Sequence, residues 1–112
     1  MSPTVSTQEV VTLLTAAPGM EEAKRIARSL VSERLAACAN VIPGVSSVYW
    51  WEGQVQEEQE AMLVIKTTAA QVNALETRLV ELHPYDVPEL LSIQVTGGHP
   101  PYLAWVSSEV EG

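Results

Sequence analysis

Two segments of this 112-residue chain are apolar at consecutive rather than alternate positions, Val10-Val11-Thr12-Leu13-Leu14 and Met62-Leu63-Val64-Ile65. Both are rich in β-branched residues, which predicts strands. A strand that is apolar on both faces requires cover on both faces. A chain of this length builds one modest core and has no second helical layer to offer. The pattern therefore predicts a sheet with helices on one face and further copies of the same chain on the other.

The remaining elements fit that frame. Glu9–Thr15 reads as the first strand, broken by Ala16-Ala17-Pro18-Gly19. A helix follows, with Glu21 and Glu22 in its first turn, where acids favour the macrodipole. Met20, Ala23, Ile26, Ala27, Leu30, Val31 and Leu35 fall on one helical face, and Lys24, Arg25, Arg28, Ser32 and Glu33 on the other. Ala37–Ile42 is a short strand, Pro43-Gly44 a turn signal, and Val45–Trp51 a strand. Glu52-Gly53 is a hairpin turn leading into a long strand, Gln54–Thr68. Ala69–Leu82 is a second helix with Val72, Leu75, Leu79 and Leu82 on one face, stopped by Pro84. Leu90–Val95 is a fourth strand. Tyr102–Val110 is a closing helix that buries Leu103, Val106 and one of Tyr102 or Trp105.

The order β-α-β-β-α-β predicts an α+β, ferredoxin-like sandwich: an antiparallel sheet with two helices on one face and a short helix appended. Residues 9–112 form one domain after a disordered, Ser/Thr-rich lead-in at Met1–Gln8. The strands flanking Glu52-Gly53 exceed the usual five or six residues, so their tips overhang a small sheet. Trp50 and Trp51 at such a tip need cover from another subunit. An obligate homo-oligomer follows, with the sheet faces packed inward.

The formal net charge of -8 argues against nucleic acid and anionic membrane as partners, since both require basic patches. No apolar run approaches the ~20 residues of a membrane span. The one cysteine, Cys38, excludes an intrachain disulfide and a CxxC motif, so a reducing compartment is the default. Its neighbours Leu35-Ala36-Ala37 and Ala39 mark it as a small buried hydrophobe. No P-loop, nucleophile elbow, dinucleotide fingerprint or metalloprotease motif is present, and no enzyme is predicted.

The segment His83-Pro84-Tyr85-Asp86-Val87-Pro88-Glu89 carries an imidazole, a phenol and two carboxylates on a stiff connection between helix and strand. That inventory suits a site or an interface. His83 is the best metal ligand by type, because neutral imidazole suits copper and zinc. Its competing role is at the helix C-terminus, where a partly cationic ring is favourable. His99, between Gly98 and Pro100, reads as a solvated loop residue. Glu57-Glu58-Gln59-Glu60 lacks the oxygen spacing of a calcium loop and reads as a solvated strand face.

Four stretches in order, Leu35-Ala36-Ala37-Cys38-Ala39-Asn40, Pro43–Gly53, Leu63–Thr68 and His83–Leu90, resemble the CutA family of divalent-cation tolerance proteins, and the likeness runs from about Val10 to Val106. The resemblance implies a ferredoxin-like subunit in a tight homotrimer whose long hairpins join neighbouring sheets. It implies a cytoplasmic, non-enzymatic protein of the response to metal ions, chiefly copper, with no required cofactor. The trimer is similar in plan to nitrogen-regulatory signal proteins, which bind small ligands in clefts between subunits. Two uses of the chain stay open: weak binding of a divalent cation such as copper, or binding of a small metabolite with only an indirect link to metal.

The resemblance also bears on residues. Trp50, Trp51, Glu60, Lys66, Tyr85, Asp86 and Glu89 match positions near subunit junctions, and imply a cleft lining or a salt-bridge network that sets trimer register. Family members that bind copper are thought to use a cysteine near the end of the first strand and adjacent histidines. Here Leu14 or a neighbour holds the cysteine's place and Leu82 that of the extra histidine. His83 alone matches, and one imidazole is a poor copper or zinc site.

Overall fold

The computed structural model describes residues 9–110. The expected lead-in at Met1–Gln8 lies outside the described residues. Four strands, β1 (Val10–Ala17), β2 (Cys38–Trp51), β3 (Gln54–Thr68) and β4 (Leu91–Gln94), form one sheet in the order β2-β3-β1-β4. Every neighbouring pair is antiparallel. The helices are α1 (Met20–Ser32), α2 (Val72–Leu82, entered through a 3₁₀ turn at Ala69–Gln71) and α3 (Pro100–Glu109). This is the ferredoxin-like α+β fold that the element order predicts.

The register sorts each strand into two faces. Val11, Leu13, Thr15 and Ala17 of β1 pair with Thr67, Ile65, Leu63 and Ala61 of β3, and all eight are buried. With Ala23, Ile26, Ala27 and Leu30 of α1 and Leu75 and Leu79 of α2 they make the core under the helices. Thr15 is completely buried there and its Oγ1 has no hydrogen-bond partner.

The opposite face carries Thr12 and Leu14 of β1, Met62, Val64 and Lys66 of β3, Leu91 and Ile93 of β4, and Cys38, Asn40 and Ile42 of β2. One end of it is covered. There α3 packs on β3 and β1, and Val106 and Val110 are buried along with Val10 and Thr68. Arg34 ties α3 down with bonds to the Glu109 carbonyl (3.1 Å) and carboxylate (2.8 Å). Tyr102 and Trp105 instead stay about two-fifths exposed, contrary to the expectation that one of them would be buried. The α3 face that meets the sheet is the Val106 face, which turns both rings outward with a centroid separation of 5.6 Å. Beyond α3 the face is open: Ile42, Leu91 and Ile93 are each close to half exposed.

Pro43-Gly44 is not a turn. β2 runs through it as a single strand, and the register slips by one residue between Ile42↔Met62 and Val45↔Glu60. That is a β-bulge, and Gly44 supplies the positive φ of 71° that it needs. β2 is an edge strand, so the missing N–H of Pro43 costs little. The true turn is Glu52-Gly53, where φ is positive at both residues (53° and 77°), as in the type I′ turns that match strand twist. β1 pairs with β3 only as far as Ala61. The pairs from Val45↔Glu60 to Trp51↔Gln54 therefore form a free two-stranded arm, which stretches the molecule to 56 × 25 × 22 Å.

Candidate functional site

The root of this arm brings together Tyr49, Glu58, Glu60 and Tyr85. Glu58 and Glu60 stand two residues apart on β3 and so point to the same face. The hairpin register puts Ser47 opposite Glu58 and Tyr49 opposite Gln56, on that face also. The Tyr49 hydroxyl donates to Glu58 Oε1 at 2.7 Å. Tyr85, from the loop after α2, donates its hydroxyl to Glu60 Oε2 at 2.9 Å. Two phenol–carboxylate pairs thus stand side by side, one within the arm and one joining the arm to the body.

Each phenol is held in its neutral form. Burial, then the bond to Glu60 and the negative charges of Glu60 and Glu58, push Tyr85 up to about 12. The bond to Glu58, then burial and the same two charges, raise Tyr49. The carboxylates accept and the phenols donate, so the cluster is satisfied within itself.

Behind Tyr85 lies His83, buried and fully engaged. The Tyr85 backbone N–H donates to His83 Nδ1 at 3.1 Å. Nδ1 is therefore unprotonated, and Nε2 carries the proton that it donates to the Ala16 carbonyl at 2.7 Å. The ring also lies 4.8 Å from the Tyr85 ring. This neutral imidazole is a strap between the end of β1 and the loop. It does not serve the C-terminus of α2 as a cation: there the backbone N–H of His83 bonds the Leu79 carbonyl, and the Arg25 guanidinium bonds the Leu82 carbonyl. A metal at His83 would have to displace one of two buried hydrogen bonds. Among the described residues, no three His, Cys, Asp or Glu side chains come together as a metal site would require.

The other residues singled out in the sequence are dispersed. Trp50 pairs with Val55 and Trp51 with Gln54, so the two indoles sit on opposite faces of the arm tip, 73% and 54% exposed. They are neighbours in sequence and not a stacked pair. Asp86 and Glu89 are exposed in the loop. Lys66 lies six residues along β3 from Glu60, at the far end of the same face. It does not join Tyr85 and Glu60 in one cleft of this chain, and its ammonium donates to Asn40 Oδ1 instead. Sequence reasoning missed Tyr49 as a member of the arm cluster. Counting pairs outward from the Glu52-Gly53 turn would have placed it on the Glu58–Glu60 face.

A family model described as CutA1 divalent ion tolerance protein matches residues 11–109. The chain belongs to this family. The divalent-cation tolerance protein CutA of Thermus thermophilus is 46% identical over 98 residues, covering 88% of this chain and 94% of that protein. The chloroplastic CutA 1 of Oryza sativa is 42% identical over 108 residues, 96% of this chain, which spans 61% of that longer relative. In structure, CutA of Xylella fastidiosa superposes with a TM-score of 0.90 at 45% identity, covering 92% of this chain and 99% of that one. These relatives bear out the family resemblance and the fold. A structure from Archaeoglobus fulgidus is described as periplasmic and the Oryza sativa relative as chloroplastic. In this chain, among the described residues, no helix is long and apolar enough to cross a membrane.

Proposed function

We propose that this CutA-family chain acts as a cytoplasmic, non-enzymatic homotrimer in the response to divalent metal ions, copper among them. Its ligand is a small molecule taken in the clefts between subunits, and its link to metal is indirect. The observation that carries this reading is the state of His83: the one imidazole expected as a metal ligand spends both ring nitrogens on the Ala16 carbonyl and the Tyr85 N–H. The trimer rests on the open apolar face of Ile42, Leu91 and Ile93 and on the free arm, since a soluble protein covers a surface of that kind. At the arm root the phenols and carboxylates satisfy one another's hydrogen bonds.

Copper calorimetry on the assembled protein tests the reading. The expected result is weak or absent copper binding that His83→Ala leaves unchanged. Tight binding abolished by His83→Ala would establish the competing reading, a metal-binding tolerance protein.

A further inference from the structure

Lys66 occupies an unusual electrostatic position. It sits on the sheet face opposite α1 and α2, two residues from the end that α3 covers, between Thr12 of β1 and Cys38 of β2, its direct cross-strand partners. It is half-buried there. The guanidinium groups of Arg25, Arg34 and Arg78 each pair with a glutamate. Among the described residues Lys66 has no carboxylate within ion-pair distance, and its ammonium is met by the amide oxygen of Asn40. The exposed α1 residues Lys24 and Arg28 also lack such a partner, but they project into water, which solvates them.

The surroundings of Lys66 are hydrogen-bond donors rather than counter-charges. Asn40 keeps its amide N–H groups while its oxygen receives Lys66 and, at 3.9 Å, the Cys38 thiol. Thr12 contributes a hydroxyl to the same face. Beyond this polar group the face is apolar, with Leu14, Val64 and Ile93. The acids of the arm are remote: Glu60 is six residues along β3, roughly 20 Å at strand rise. That exceeds the ~8 Å over which charge is felt in physiological salt. Within one chain the acids of the arm therefore do not fill this spot.

When subunits close over the face, this ammonium leaves water, and a buried cation without a counter-charge is strongly unfavourable. We propose that Lys66, with Asn40 and Thr12, binds the carboxylate group of a small organic ligand at the subunit junction. Lys66 supplies the charge, the amide and hydroxyl groups supply direction, and the apolar rim takes the carbon skeleton. The proposal rests on the small-ligand reading of these clefts, and it names the ligand's class and the residues that hold it.

The chain has two lysines, Lys24 and Lys66, so ¹⁵N-lysine labelling gives two side-chain ammonium signals. The assembled full chain is titrated with citrate and, separately, with inorganic phosphate. The expected result is a saturable citrate shift of the Lys66 signal with Lys24 unmoved. Calorimetric citrate affinity should fall about tenfold or more in Lys66→Met, to a lesser degree in Asn40→Ala, and hold within a few-fold in Lys66→Arg. Three outcomes overturn the proposal. Equal drift of both signals means salt screening only, and a response to phosphate alone means the wrong anion. A Lys66 signal deaf to both probes, in a trimer that Lys66→Met weakens, means that a carboxylate of a neighbouring copy fills the site. None of these disturbs the copper result at His83, so the two readings fail separately.

Discussion

The two faces of this sheet share strands and backbone, and they differ in what covers them. On the helix side, Leu13, Leu63 and Ile65 are completely buried. On the other side, Leu14, Val64 and Met62 alternate with them along the same strands, and at the sheet margins Ile42, Leu91 and Ile93 stand open. The first face is a finished core that one chain makes for itself. The second is half of a core, finished only at the end beneath α3. That contrast supports the assembly proposed above: the chain's own helices complete one face and leave the other for a second copy. The unfinished face is also where polar groups, Thr12, Asn40 and Lys66, stand among apolar ones.

Substitutions that treat the two faces alike should give different failures. Leu63→Ala on the finished face should cost about 2–5 kcal/mol of stability and lower the urea midpoint, because it leaves a cavity that the packed neighbours cannot fill. Leu91→Arg on the open face should act on assembly first: sedimentation should show its subunits separating at concentrations where the wild type stays assembled, with loss of structure only after they separate, since the side chain is already about half exposed in one chain. Equal loss of structure in both variants would break the distinction between the faces.

Thr15→Val tests the finished face from the other side. The hydroxyl is buried without a partner, and an isosteric apolar side chain removes that cost. A gain of about 1 kcal/mol is expected from denaturant unfolding. A loss would mean that Thr15 has a partner.

A smaller effect is expected where the arm meets the body. Tyr85 ionises at about 10 in an unfolded chain and at about 12 here. Its folded value is raised, so the stability it contributes is complete below pH 10 and is lost as pH rises from 10 through 12. Ultraviolet titration should show the last-ionising tyrosine of the wild type missing in Tyr85→Phe. The variant's stability should lose less than the wild type's across that window.

Much of the fold was legible because local signals agreed with one another. The period of α1, the Glu52-Gly53 turn and the two-sided strands each pointed to the same sandwich. Pro43-Gly44 misled because a proline–glycine pair signals a turn or a bulge equally well, and only the partner strand decides between them. Tyr102 and Trp105 misled because hydrophobicity alone does not say which face of a ten-residue helix meets the sheet.

The site was less legible, for a physical reason. His83 was recognisable as a ligand type, but its occupation by the Ala16 carbonyl and the Tyr85 N–H depends on groups that the fold brings from both sides. Lys66 was placed with Tyr85 and Glu60 by resemblance, yet the register puts it beside Thr12 and Cys38. The charge of a lysine is visible in a sequence, whereas the lack of a partner for it is a property of the folded face.

The central claim is that the open face is the inside of an assembly. Sedimentation equilibrium of the full chain across a wide concentration range tests it most directly. The expected mass is that of three chains at every concentration at which the protein is folded. A stable, folded species with the mass of one chain would contradict it, because Ile42, Leu91 and Ile93 would then face water with nothing to cover them.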